Sequence, residues 1–189
     1  MLAPTNYYIF LAKSAVESYV LKQEIIAPPR ETPNELLKKQ AGVFVTIKKQ
    51  EELRGCIGTY LPTKGNLAEE IIQNAIAAAA EDYRFDPISG EELPYLSYTV
   101  CLLSAPELVE DISSLDPKKY GIIIKTAPDS GTGDAFFKGK SPQKSGLLLP
   151  DLEGVDTIER QISIACQKGA IDPEKEKILI YRFTVEKYQ

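Results

Sequence analysis

The stretch Leu53-Arg54-Gly55-Cys56-Ile57-Gly58-Thr59-Tyr60 reads as the returning strand of a β-hairpin. Upstream, Val43, Val45 and Ile47 alternate with Phe44 and Thr46 as the first strand, and the charged run Lys48–Glu52 makes the turn. Downstream, Leu67–Glu81 carries the helical period: Leu67, Ile71, Ile72, Ala75, Ile76 and Ala79 share one apolar face. Asn66 stands at its N-cap position with Glu69 three residues on. Tyr98–Ser104 is the next strand. Strand, strand, helix, strand is therefore the unit from which the fold is read.

The same order returns in the second half. Gly121–Lys125 matches Gly42–Thr46, Gly146 falls on Gly55, and Ile158, Ile162 and Cys166 fall on Leu67, Ile71 and Ala75. Ile178–Val185 is predicted as the last strand. Chance likeness between two ordinary α+β stretches is the alternative to a duplication. An amphipathic helix from Asn6 to about Glu24, capped by Thr5 or Asn6, precedes both halves; Ala27-Pro28-Pro29 ends it, and a short helix, Asn34–Lys39, follows Pro33. The expected fold class is α+β: two related strand–strand–helix–strand units, in one mainly antiparallel sheet or as two lobes, with helices packed on it. The chain is expected to be a single domain over 1–189, divided into a first lobe of about 1–110 and a second unit over 111–189.

With 189 residues, 43% hydrophobic and 26% charged, the chain has the composition of a globular protein large enough to need no metal or disulfide staple. Histidine is absent, which excludes a Ser-His-Asp triad, a Cys-His dyad and the usual mixed-ligand zinc sites. Cys56, Cys101 and Cys166 stand singly, so no metal site and no cofactor is expected, and reduced thiols point to a cytoplasmic protein. No basic segment precedes the apolar run Tyr7–Ala12, as a signal peptide would require, and no apolar stretch reaches the length of a membrane span. A net charge of −5 disfavours nucleic acid as a partner, the aromatic–basic patch Phe136-Phe137-Lys138 with Lys140 and Lys144 notwithstanding. Gly139-Lys140-Ser141 lacks the spacing and the strand-to-helix context of a phosphate-binding loop, and Ala127–Lys144 reads as a mobile loop.

Chemistry concentrates on the hairpin. Alternation places Arg54, Cys56 and Tyr60 on one strand face and Leu53, Ile57 and Thr59 on the other. Glycine inside a strand marks a bulge or a close backbone approach, so Gly55 and Gly58 leave Cys56 little side-chain cover. A neighbouring cation favours the thiolate. Cys56 is thus a candidate nucleophile, Arg54 a two-point holder of a carboxylate or phosphate, and the N–H groups near Gly55 and Gly58 candidate oxyanion donors. The turn Asp82–Pro87, with its mixed charges and Phe85, reads as a solvated helix end; the alternative is that Arg84 reaches back to the hairpin groove. Glu70 is the nearest candidate base, although the helix dipole alone accounts for Glu69 and Glu70. The competing reading makes Cys56 a small interior hydrophobe and the glycines a means of close helix packing. Cys101 and Cys166 sit in apolar sequence and are read as interior.

The core Leu53–Tyr60, the helix Leu67–Ala80, Asp82-Tyr83-Arg84-Phe85 and Glu91-Glu92-Leu93 resemble the AMME chromosomal region protein family, or AMMECR domain. Tyr120–Ile124, Gly146–Pro150 and Cys166–Ala170 follow in that family's order, and the likeness covers nearly the whole chain. The resemblance implies an α+β protein of two related lobes. Its microbial members are grouped with a Memo-type protein and a radical-SAM protein, which makes either an expected partner. It names no reaction. Tyr120 stands where many members have histidine, and Asp151 where glutamine is common. Two functions follow as expectations: an enzyme or enzyme component using Cys56 and Arg54 on a small anionic or carbonyl metabolite, or a non-catalytic binding or scaffold module for such a partner.

Overall fold

The computed structural model describes residues 4–127 and 143–189. Helix α1 (Pro4–Lys22) and the short α2 (Asn34–Lys38) precede the hairpin β1 (Gly42–Lys49) and β2 (Glu52–Thr59). Then follow α3 (Leu67–Ala80), β3 (Leu96–Leu103), the two-residue β4 (Glu107–Leu108), β5 (Gly121–Thr126), β6 (Ser145–Leu148), α4 (Ile158–Lys168), β7 (Ile178–Phe183) and β8 (Val185–Tyr188). The strands form two mainly antiparallel sheets, ordered β2-β1-β3-β8 and β4-β7-β5-β6, so the fold is α+β. The chain divides into two compact units, one reaching to Ala105 and regaining Glu186–Gln189, the other Pro106–Val185.

In the first unit, alternation sorts the central strand β1 into two faces. Val43, Val45 and Ile47 have no exposure and stand opposite Leu102, Val100 and Tyr98 of β3. Helices α1 and α3 cover that face with Leu11, Ala15, Ile71, Ala75 and Ala78. Each Val, Ile or Leu removed from water here contributes roughly 1.5–3 kcal/mol. The opposite face, with Phe44, Thr46, Cys56 and Thr99, is half-buried. Gly55 sets the helix distance: a Cβ there would sit on the Ala78 carbonyl oxygen. The Asn66 side chain caps α3, accepting from the Glu69 N–H at 3.0 Å.

In the second unit the elements run β5, β6, α4, β7, with β4 at the sheet edge. β5 is its centre, flanked by β6 and β7, and Ile122, Ile124, Leu148 and Ile180 pack with Ala165 and Cys166 of α4. At Gly146, as at Gly55, an added Cβ would sit on a helix carbonyl oxygen, here that of Ala165.

Two expectations about element ends are corrected. The predicted strand Ile178–Val185 is two strands: β7 stays in the second sheet, and β8, after Thr184, joins the first beside β3. Tyr188 then stacks on Tyr8 of α1 with ring centroids 4.1 Å apart, a contact that local pattern does not encode. The first helix begins at Pro4, so Thr5 and Asn6 lie inside it and not at its N-cap; it ends at Lys22, close to the expected end near Glu24, where Gln23 takes a left-handed conformation with φ of 60°. Residues 128–142, with the phosphate-loop look-alike and most of the aromatic–basic patch, lie outside the described residues.

Candidate functional site

β2 is an edge strand, and its outer backbone groups need partners other than a ladder. At Cys56 two side chains supply them. Asp82 Oδ2 accepts the Cys56 N–H at 2.9 Å, and Arg84 Nη2 donates to the Cys56 carbonyl at 3.4 Å. Arg84 and Asp82 in turn grip each other through Nε to Oδ1 at 2.9 Å and Nη2 to Oδ2 at 2.6 Å. The pair acts as a one-residue surrogate strand. The Arg84 guanidinium holds the buried Asp82 carboxyl well below the usual carboxylate range, against the opposing effect of burial.

Arg54 does not turn toward the thiol. It is the extra residue of a bulge, since Ile47 pairs with Gly55 and Lys48 with Leu53. Its Nε and Nη2 each donate to Glu92 at 2.9 Å, and Nη1 donates to the Asp86 carbonyl at 2.8 Å. Lys49 adds a third bond to Glu92 at 3.1 Å. Arg54 above all pulls the Glu92 pKa down to about 2. Arg54 is thus committed to a carboxylate of its own chain.

Glu70 is committed as well. Its side chain is buried and accepts from the Thr59 hydroxyl at 2.6 Å, the Thr63 hydroxyl at 2.9 Å, and the N–H groups of Thr63 and Lys64 at 2.7 Å. Burial pushes its pKa up, but these bonds outweigh burial and leave it lowered. The carboxylate shapes the loop after β2.

Cys56 keeps an available side chain. It is half-buried, whereas Cys101 and Cys166 are buried and burial raises both their thiol pKa values. Cys56 faces Thr46 across the ladder, and Thr46 faces Thr99, so thiol and hydroxyls form one polar row across three strands. The Thr46 hydroxyl is 3.3 Å from Cys56 Sγ. The glycines beside the thiol serve packing: Gly55 admits α3, and at Gly58 a Cβ would collide with Phe44. The Cys56 N–H, a candidate oxyanion donor in sequence terms, is spent on Asp82.

Of the sequence-derived residues, the structure brings Arg84 against Cys56 and aims Arg54 and Glu70 elsewhere. Asp82 and Glu92 are the partners that sequence reasoning left without a role. Asp82 lies in the turn beside Arg84, but the pairing of Glu92 with Arg54 crosses 38 residues and has no local signal. Among the described residues no group of His, Cys, Asp and Glu is arranged to hold a metal. No helix among them is long and apolar enough to cross a membrane.

Fold and site define an α+β protein of two sheet-and-helix units with a clamped edge strand bearing an accessible thiol. The AMMECR1 family model matches residues 9–188, and the chain belongs to that family. A Thermotoga maritima protein is 50% identical over 183 residues, covering 96% of this chain and 97% of its own. A Thermococcus kodakarensis protein is 40% identical over 195 residues, covering 97% and 89%. A Clostridium acetobutylicum protein is 38% identical over 182 residues, 96% of this chain but 34% of its own, so the chain spans about a third of that relative. The crystal structure of the uncharacterized protein PH0010 from Pyrococcus horikoshii is similar with a TM-score of 0.81 at 31% identity, over 97% of this chain and 90% of that one.

Proposed function

We propose that this chain is an enzyme component that presents Cys56 to a small anionic or carbonyl-bearing metabolite and relies on a partner protein for acid–base groups. The observation that carries the reading is how the charged groups around the one half-buried thiol are engaged. Arg54 binds Glu92, Arg84 binds Asp82, and Glu70 holds the loop after β2. A thiol attacking a carbonyl needs a proton acceptor, and these carboxylates are held low by their own partners. A Memo-type or radical-SAM protein is the partner the family suggests, and the cytoplasm the compartment.

Iodoacetamide labelling of the purified chain, alone and mixed with a Memo-type or a radical-SAM protein, tests this. Cys56 is expected to label well before Cys101 and Cys166, and one mixture is expected to change the Cys56 rate alone. Equal rates for all three thiols, or a Cys56 rate that neither mixture alters, would overturn it.

A non-catalytic binding or scaffold role is the second reading. It is favoured by the Clostridium acetobutylicum relative, in which the matched segment is joined to a longer chain. A Cys56→Ser variant that leaves the assembled system fully active decides for the scaffold.

A further inference from the structure

We propose that residues 81–86, the turn that ends α3, dock a partner protein carrying a basic rim around a pocket for an aromatic ring. This rests on the reading that the Cys56 site is completed by another protein. Tyr83 is 94% exposed, the highest exposure of any large hydrophobic side chain among the described residues. An aromatic ring standing in water on a soft loop gains little from binding, because ordering the loop offsets the contact. This turn is already ordered. Asp82 and Arg84 on either side of Tyr83 are locked to each other and to the Cys56 backbone, the Phe85 N–H bonds the Asp82 carbonyl at 3.0 Å, and the Arg84 guanidinium lies 5.5 Å from the centre of the Phe85 ring. A fully exposed tyrosine on a hydrogen-bonded turn has the properties of an interface anchor.

Charge selects the partner. The cations of this edge face carboxylates of the chain: Lys48 faces Glu51, Lys49 and Arg54 face Glu92, and Arg84 faces Asp82. Glu52, Glu81, Asp86 and Glu91 are exposed and have no cation partner among the described residues. Tyr83 therefore projects from a surface with excess negative charge, which a basic rim complements. Position supplies the consequence. Arg84 touches the Cys56 carbonyl, so the turn carrying Tyr83 is bonded to the strand residue that bears the thiol.

A photo-crosslinking benzoylphenylalanine placed at Tyr83, at Tyr95 or at Thr46 of the full chain in its native host tests the proposal. The crosslinked protein is identified, purified, and its Kd measured for the unmodified chain. The expected result is capture from position 83 and not from Tyr95, which is also exposed but outside the turn. Tyr83→Ala should then weaken binding about 30-fold, as loss of an anchor does. Paired Glu81→Lys and Asp86→Lys should weaken it further and flatten its salt dependence. Capture from Thr46 alone, or a partner insensitive to Tyr83→Ala, overturns the docking surface and leaves the need for a partner intact. No capture from any of the three positions overturns both.

Discussion

Helices α3 and α4 each carry a buried polar residue at their fourth position, Glu70 in one and Gln161 in the other, behind N-caps Asn66 and Thr157. The two residues are used differently. Glu70 collects hydrogen bonds from Thr59, Thr63 and Lys64, tying the loop after β2 to the helix. Gln161 spans to the Tyr120 carbonyl at 2.7 Å, and its Oε1 has no partner among the described residues. A carboxylate is acceptor-only and can gather several donors, whereas an amide divides its capacity between donor and acceptor. The first helix thus ties down the loop after the edge strand β2, whereas the second spends its buried amide on the residue before β5. The clamped edge bears the half-buried thiol.

Replacing Glu70 gives the largest expected effect, and Gln161 is its comparison. Glu70→Ala strands donors from Thr59, Thr63 and Lys64 and is expected to cost about 3 kcal/mol or more, read by urea unfolding. Gln161→Leu loses one bond and an unsatisfied oxygen, and is expected to cost about 1 kcal/mol or less. Equal costs would mean that the contrast between the units is not energetic.

Gly55→Ala and Gly146→Ala come next. In each unit the added methyl must push a helix backbone away from a strand, and about 2 kcal/mol is expected in both. If either variant is neutral in thermal unfolding, close helix approach is not what that glycine provides.

Arg54→Met sharpens the electrostatic side. The Glu92 pKa is depressed from 4.5 to about 2, so its contribution is fully present above about pH 4.5 and is lost as pH falls toward 2. Removing Arg54 is expected to cost about 2 kcal/mol at pH 7. The gap between variant and wild type should close as pH drops through that window. A gap independent of pH would show that Arg54 acts through packing of its stem instead.

The smallest effect is expected at Cys56. Cys56→Ser should change stability by less than about 1 kcal/mol, because the site is half-buried and polar. Cys166→Ser puts a hydroxyl into the apolar core of the second unit and should cost more, about 2 kcal/mol. A Cys56→Ser variant as costly as Cys166→Ser would identify Cys56 as a packing residue.

Much of this was present in local pattern. The alternation of Val43, Val45 and Ile47 and the apolar stripe of Leu67–Ala79 sufficed for the hairpin, the helix and the α+β class, because side-chain periods report directly on which face is buried. The cap at Asn66 is equally local. The interior placing of Cys101 and Cys166 follows from their apolar neighbours. Arg84 reaching the hairpin was one of two readings its turn allowed, and the contact with the Cys56 carbonyl decides between them. The partners of Arg54 and Glu70 were not, since their bonds join a bulge and a buried helix face to loops elsewhere in the sequence.

By itself, then, the amino-acid sequence determined the hairpin, the helices α3 and α4 and the strand–strand–helix order in each half, and that Cys56 sits between two glycines on a strand, but not that the last strand is split between two sheets. Only the tertiary structure decided that β2 is an edge, that Asp82 and Arg84 close it at Cys56, and that Arg54 answers to Glu92. Periodicity is a property of neighbours along the chain. A hydrogen-bonded ion pair is a property of neighbours in space, and Arg54, two residues from Cys56 in sequence, gives its guanidinium to the carboxylate of Glu92.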